Sequence, residues 1–241
     1  MPPSPISIHD AAQIISANGS HVLVCDTCAL IDIIRLPMRA TNEKDIARTL
    51  AAVYRIEALV SAQKVTIICP PPVSDEWHRN APATRTELEG FISEAGRAYQ
   101  NIKTAAAAHG EVMPSLSFPV ERTAKYFYDV SERILSTSLL LHNENAPSMR
   151  ATSRALSCIP PARKGKVADC VVYEHTMELF DNLTTGSNCR KRILLTSNSE
   201  DFFDGPKYPK PPIDKELISR GAILCKNWNW ALGEISKCQD A

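Results

Sequence analysis

A chain of 241 residues, 44% of them apolar, is long enough to bury a sizeable core, which excludes disorder as its default state. Its 27 acidic and 27 basic residues cancel, so no argument for nucleic-acid binding comes from net charge and any such case rests on local distribution. The longest apolar runs, Val22 to Cys25 and Leu139 to Leu141, fall far short of the roughly 20 residues that span a bilayer, and the N-terminus lacks the basic start and apolar block of a secretory signal, so a cytosolic protein with no membrane partner is expected.

In chain order, a helix is expected over Ile6 to Ala17, followed by a buried strand, His21 to Cys25, that runs directly into Asp26. Ile46, Leu50, Val53, Ile56, Leu59 and Val60 stand at helical spacing within Glu43 to Lys64, ahead of a second strand, Val65 to Cys69. Pro70, Pro71 and Pro72 stop that strand, and Val73 to Asn80 opens a further helix that Ser74 is able to cap. Two long amphipathic helices follow, one presenting Leu88, Ile92, Ala95, Tyr99 and Ile102, the other Phe127, Val130, Ile134 and Leu141. A shorter helix over Ser148 to Ser157 leads into a basic loop, Pro160 to Lys166, after which Val167 to Phe180 resumes a helical pattern. A third strand, Ile193 to Thr196, a loop from Gly205 to Pro212, a short helix from Ile213 to Arg220 and a last strand, Ala222 to Cys225, complete the series.

Short apolar strands alternating with helices define an α/β protein, a three-layer α/β/α sandwich around a central, mainly parallel sheet. The whole chain reads as one domain, with a helical insertion or cap at about residues 84 to 157. The apolar faces of the long helices either pack inward or meet a partner, whether a second copy or an inhibitory protein. Cys25, Cys69, Cys170 and Cys225 sit in apolar runs and are read as reduced core residues. The single CxxC, Cys25 to Cys28, has no second pair at zinc spacing, so zinc is set aside.

In an open parallel sheet, ligands bind beyond the carboxyl ends of the strands, so polar residues directly after apolar strands are the informative ones. Asp26 follows the first strand, Glu76 lies shortly after the second, Asp169 opens the helix after the basic loop, and Thr196 to Asp201 follows the third. Crowded carboxylates repel one another unless a proton or cation neutralises them. Mg2+ or Mn2+ suits such an oxygen site and keeps waters available for hydrolysis of a phosphodiester.

These residues resemble the PIN-domain ribonucleases. The likeness lies in Val24 to Thr27, Val73 to Asn80, Gly165 to Glu174 and Leu195 to Phe202, in matching order and strand context, and it extends from about Val22 to Cys225. It implies a PIN-like fold, a Mg2+ or Mn2+ site at Asp26, Glu76 and Asp169 with Asn198 or Asp201 as the fourth group, and single-stranded RNA as substrate. A toxin or defence role is implied by the same likeness. Cys28 departs from it, since an asparagine is frequent there.

Each reading has a plainer competitor. Asp26 and Asp201 are also natural helix caps, Glu76 and Asp169 natural first-turn acids, Asn198 a turn former, and Asp75 an alternative to Glu76. Thr27 and Thr196 either orient a bound water or satisfy the backbone. Arg163, Lys164 and Lys166, with Arg150 and Arg154 nearby, either hold substrate phosphates or form a solvated surface. Trp77 and Tyr173 either stack bases or belong to the core. Two other functions compete: a non-catalytic PIN-like module that binds RNA or protein, and a haloacid-dehalogenase-like phosphatase. The latter needs a second acid two residues after Asp26, where Cys28 stands.

Overall fold

The computed structural model describes residues 4–162, 166–183, 191–205 and 207–237. Helix α1 (Ile8–Asn18) ends at Gly19, whose φ of 63° is the left-handed conformation that terminates a helix without a side-chain penalty. Strand β1 (His21–Cys25), α2 (Thr27–Arg39), α3 (Glu43–Ser61), β2 (Val65–Cys69), α4 (Val73–Ala108), α5 (Val120–Ser136), β3 (Leu139–Leu140), α6 (Asn145–Leu156), α7 (Val167–Asn182) and β4 (Arg192–Leu195) follow. The chain continues through α8 (Ser199–Phe202), the short antiparallel pair β5 (Phe203–Asp204) and β6 (Tyr208–Pro209), α9 (Ile213–Ile218), β7 (Ala222–Cys225) and α10 (Trp228–Ser236). Among the described residues no helix is long and apolar enough to cross a membrane.

The central sheet has five parallel strands in the order β3-β2-β1-β4-β7. Successive strand residues point to opposite faces, so each strand feeds two cores. Leu23, Cys25, Ile67, Ile193 and Leu195 face α2, α3, α4, α5 and α10, whereas Val22, Val24, Ile68, Leu194 and Leu224 face α1, α7 and α9. Burial on both faces is why the strands read as continuous apolar runs. The expected α/β architecture with helices on both faces of a parallel sheet is therefore observed.

Several local expectations need correction. A single 36-residue helix, α4, replaces the helix start at Val73 and the first of the two long helices. Pro82 lies inside it and removes one backbone donor, yet Trp77 and Ala81 before it and Leu88 after it are all fully buried and hold the axis together. Ser74 does not cap α4, since Pro72 is the cap residue and no side chain caps the turn. Leu141 does not share the α5 face. That helix stops at Ser136, and β3 then pairs with β2, with Leu141 donating its N–H to the Cys69 carbonyl at 3.1 Å. Residues 84 to 157 are thus more than a cap, because they supply a strand of the sheet and the core residues Leu88, Ala124, Phe127, Val130 and Ile134. Within the expected loop Gly205 to Pro212, Tyr208–Pro209 pairs with Phe203–Asp204.

The apolar face of α5 turns inward, as does that of the first half of α4, whereas Phe91 and Ile102 farther along α4 are 44% and 59% exposed. Trp77 donates to Ser131 Oγ at 2.8 Å, and Ser131 passes the bond on to the Leu30 carbonyl at 2.8 Å, tying α4, α5 and α2 together. Both Trp77 and Tyr173 are fully buried, which makes them core residues and removes them as stacking platforms. Cys25, Cys69, Cys170 and Cys225 are buried and free.

Candidate active site

The carboxyl ends of β1, β4 and β7 are level, because Cys25 pairs with Leu195 and Leu195 with Cys225. The next residue of each strand therefore falls on one line: Asp26, Thr196, Lys226. Beside this line opens a cavity of about 450 Å³, walled by α2 and α4 and lined by Asp26, Thr27, Glu76, Asp169 and Asn198, among others. Asp26, Glu76 and Asp169, from three distant stretches of chain, share it with Asp32, Glu87 and the cations Arg35 and Arg39.

Asp26 is only 4% exposed and is held from three directions. Thr27 N–H donates to Oδ1 at 2.6 Å, while the Thr196 hydroxyl, at 2.8 Å, and the Cys28 thiol, at 2.9 Å, donate to Oδ2. A carboxylate has about four acceptor sites, so these three bonds leave one free on Oδ1. Burial raises the Asp26 pKa, and the three donors pull against it. Asp26 caps α2 and lines the cavity at once, so the plainer reading and the functional one describe the same geometry.

Glu76 stands across from it in the first turn of α4 and accepts from the Thr27 hydroxyl at 2.8 Å. Asp75 is exposed and faces a separate groove formed with Pro70, Pro71 and Pro72, so it is Glu76 that shares the cavity with Asp26. Asp169 enters from the first turn of α7, and its carboxyl is pushed up to about 7. Loss of water is the largest cause, followed by the charges of Asp26 and Asp201; the Asn198 amide opposes the rise and Glu76 adds to it.

Asn198 spans the next two acids, with Nδ2 3.4 Å from Asp169 Oδ1 and 2.8 Å from Asp201 Oδ2. Its Oδ1 meanwhile caps α8 through the Asp201 N–H. Asp201 is buried behind this amide, outside the cavity lining, with Oδ1 lacking any hydrogen-bond partner. Thr196 is likewise fully buried behind Asp26 and supports it.

Cys28, read from the sequence only as a departure from the family pattern, lines the cavity and holds Asp26. Burial and the adjacent Asp26 charge push its thiol well up, which keeps it protonated and a donor to Asp26. Its position two residues after an acid at a strand end was the available signal. Other lining residues, Asp32, Arg35 and Arg39, form the polar stripe of α2 at helical spacing, a signal present in the sequence.

The basic cluster divides. Arg163 and Lys164 lie outside the described residues, and Lys166 is exposed at the start of α7 without lining the cavity. Arg150 and Arg154 are committed elsewhere: Arg150 to Glu174 at 3.0 Å and Glu178 at 2.5 Å, Arg154 to Glu174 at 2.6 Å and Glu216 at 2.8 Å. They hold α6 against α7 and α9, which corrects their expected part in phosphate binding.

Among the described residues, no three His, Cys, Asp or Glu side chains stand close enough together to enclose a metal ion on their own. The donor set nevertheless suits a hard divalent ion, being all oxygen, mutually repelling and backed by the orphaned Asp201 Oδ1. It fits an ion that keeps much of its water and takes one or two carboxylates, as Mg2+ prefers, and not an all-protein cage. Comparison of the chain with protein-family models, curated proteins and solved structures finds no match.

Proposed function

We propose that this chain is a PIN-like, metal-dependent ribonuclease that hydrolyses phosphodiester bonds in the cavity lined by Asp26, Glu76 and Asp169, where one or two of these carboxylates and water would hold Mg2+ or Mn2+. The supporting observation is the shared cavity at the carboxyl edge of the sheet, which Asp26, Glu76 and Asp169 line together and in which loss of water, with the charges of Asp26 and Asp201, raises the Asp169 carboxyl to about 7. A bound divalent ion would supply an acidified water and offset charge on the phosphate oxygens.

The chain's own residues do the rest. Asp26, fixed by Thr27, Thr196 and Cys28, presents Oδ1 in one orientation. Glu76, oriented by the Thr27 hydroxyl, is placed to accept a proton from an attacking water, and Asp169 joins them once it has lost its own proton. RNA as the substrate rests on the family resemblance.

One observation favours a second reading. The acids are not gathered into a ready cage, as a non-catalytic module that kept the shape of the fold would also show. Metal-dependent cleavage of a mixed RNA pool separates the two. Wild-type protein is expected to cut with Mg2+ or Mn2+ and to be inert in chelator, while Asp26→Ala and Asp169→Ala, shown folded by circular dichroism, lose cleavage. Equal cleavage by folded mutants overturns the ribonuclease reading.

A further inference from the structure

The acidic cavity does not end at the acids. It runs along α2 past Asp32 to Arg39 and Ser197, and these three residues also line a second, smaller slot of about 130 Å³. The slot's floor is apolar, made by Ala29, Leu36 and Trp228, with Lys226 and Arg39 among its charged residues. Trp228 is 3% exposed and donates from Nε1 to the Ala29 carbonyl at 3.1 Å, so it closes the slot as packed core and does not offer an open stacking face.

Lys226 has a defined place relative to the acids. It continues β7 as Asp26 continues β1, with β4 between, so its backbone stands two strand spacings, roughly 10 Å, from that of Asp26. Among the described residues no carboxylate pairs with it; its ammonium lies 5.9 Å from the centre of the Phe203 ring. Arg39 reaches Asp32, but through an exposed pair with 55% of the arginine side chain open, the kind of pair a phosphate displaces at little cost. Cations beside an apolar floor, open to an acidic cavity, match the parts of a nucleotide: phosphate outside, base or sugar within.

We propose that the slot between α2 and the start of α10 holds a nucleotide beside the scissile phosphodiester, with that nucleotide's outer phosphate, which a trinucleotide has and a dinucleotide lacks, at Arg39 and Lys226 on the rim. The assignment rests on the ribonuclease reading, and it gives strand binding to Arg39 and Lys226 in addition to any part played by the basic loop expected from the sequence.

The test uses two readouts on the full chain. Binding of a fluorescent single-stranded RNA hexamer is measured in an Asp169→Asn background, with and without Arg39→Ala and Lys226→Ala. Each substitution is expected to weaken binding about tenfold and to reduce the slope of log affinity against log salt by about 0.7, whereas Lys103→Ala on distant α4 changes neither. In an otherwise wild-type background, kcat/KM is compared for a dinucleotide and a trinucleotide with Mn2+. The wild type is expected to favour the trinucleotide, and Arg39→Ala with Lys226→Ala to abolish that preference. Cleavage with an unchanged length preference and unchanged binding overturns the slot and leaves the ribonuclease standing. Weakened binding without any wild-type cleavage supports the slot and removes the ribonuclease, while absence of both binding and cleavage overturns both.

Discussion

Asp169→Asn replaces a repelled carboxyl by a neutral isostere, and its consequence for stability has a definite sign. The Asp169 carboxyl rises from an ordinary 3.8 to about 7 in the folded state. A carboxylate raised in this way binds more protons folded than unfolded between those two values, so it destabilises progressively as pH climbs through that window. Little of this cost is present near pH 4, and all of it is present above pH 7. Linkage sets the full cost on the order of 4 kcal/mol; because the carboxyl is partly open to solvent, a discounted ~1–3 kcal/mol is the working figure. Asp169→Asn is therefore expected to melt several degrees above wild type in chelator at pH 8, with the gap closing toward pH 4. Saturating Mn2+ should shrink or reverse the difference, since the ion stabilises only a site that binds it. Thermal unfolding across pH 4 to 8, with chelator and with Mn2+, provides the measurement. A variant less stable than wild type in chelator at pH 8 refutes the view that these acids repel one another.

Other perturbations address the same site and its frame. Mn2+ binding at pH 6.5 is expected to release close to one proton, mainly from Asp169, and calorimetry in buffers of different ionisation enthalpy detects it. Glu76→Gln should lower RNA cleavage by at least ~10-fold while Asp75→Asn leaves it near wild type, as initial rates on a defined oligonucleotide would reveal. Thr196→Val removes a buried donor to Asp26 and is expected to weaken metal affinity by about 10- to 100-fold and stability by about 1–3 kcal/mol, read by Mn2+ titration and urea unfolding. Arg154→Ala leaves Glu174 to Arg150 alone and Glu216 to the Tyr173 hydroxyl, and should cost about 1–3 kcal/mol in urea unfolding without touching the acidic cavity.

From the sequence alone, the strands at His21, Val65, Ile193 and Ala222 were legible, as was the interest of Asp26, Glu76 and Asp169, because a buried parallel strand must be a short apolar run and ligands gather where such runs end. Three-dimensional contacts decided what periodicity does not encode. The two-residue strand β3 exists only because β2 offers it backbone partners, and α4 runs through Pro82 because buried Trp77 and Leu88 outweigh one lost donor. Asp75 and Glu76 are adjacent in the chain but face different grooves, so only the orientation of α4 separates them. Arg150 and Arg154 could not be told from phosphate ligands until their carboxylate partners, 20 to 62 residues onward, came within bonding distance. Apolar patterning is a property of neighbours along the chain and can be read there. The pairing of charges and the sharing of a cavity are properties of neighbours in space, which the packed fold alone defines.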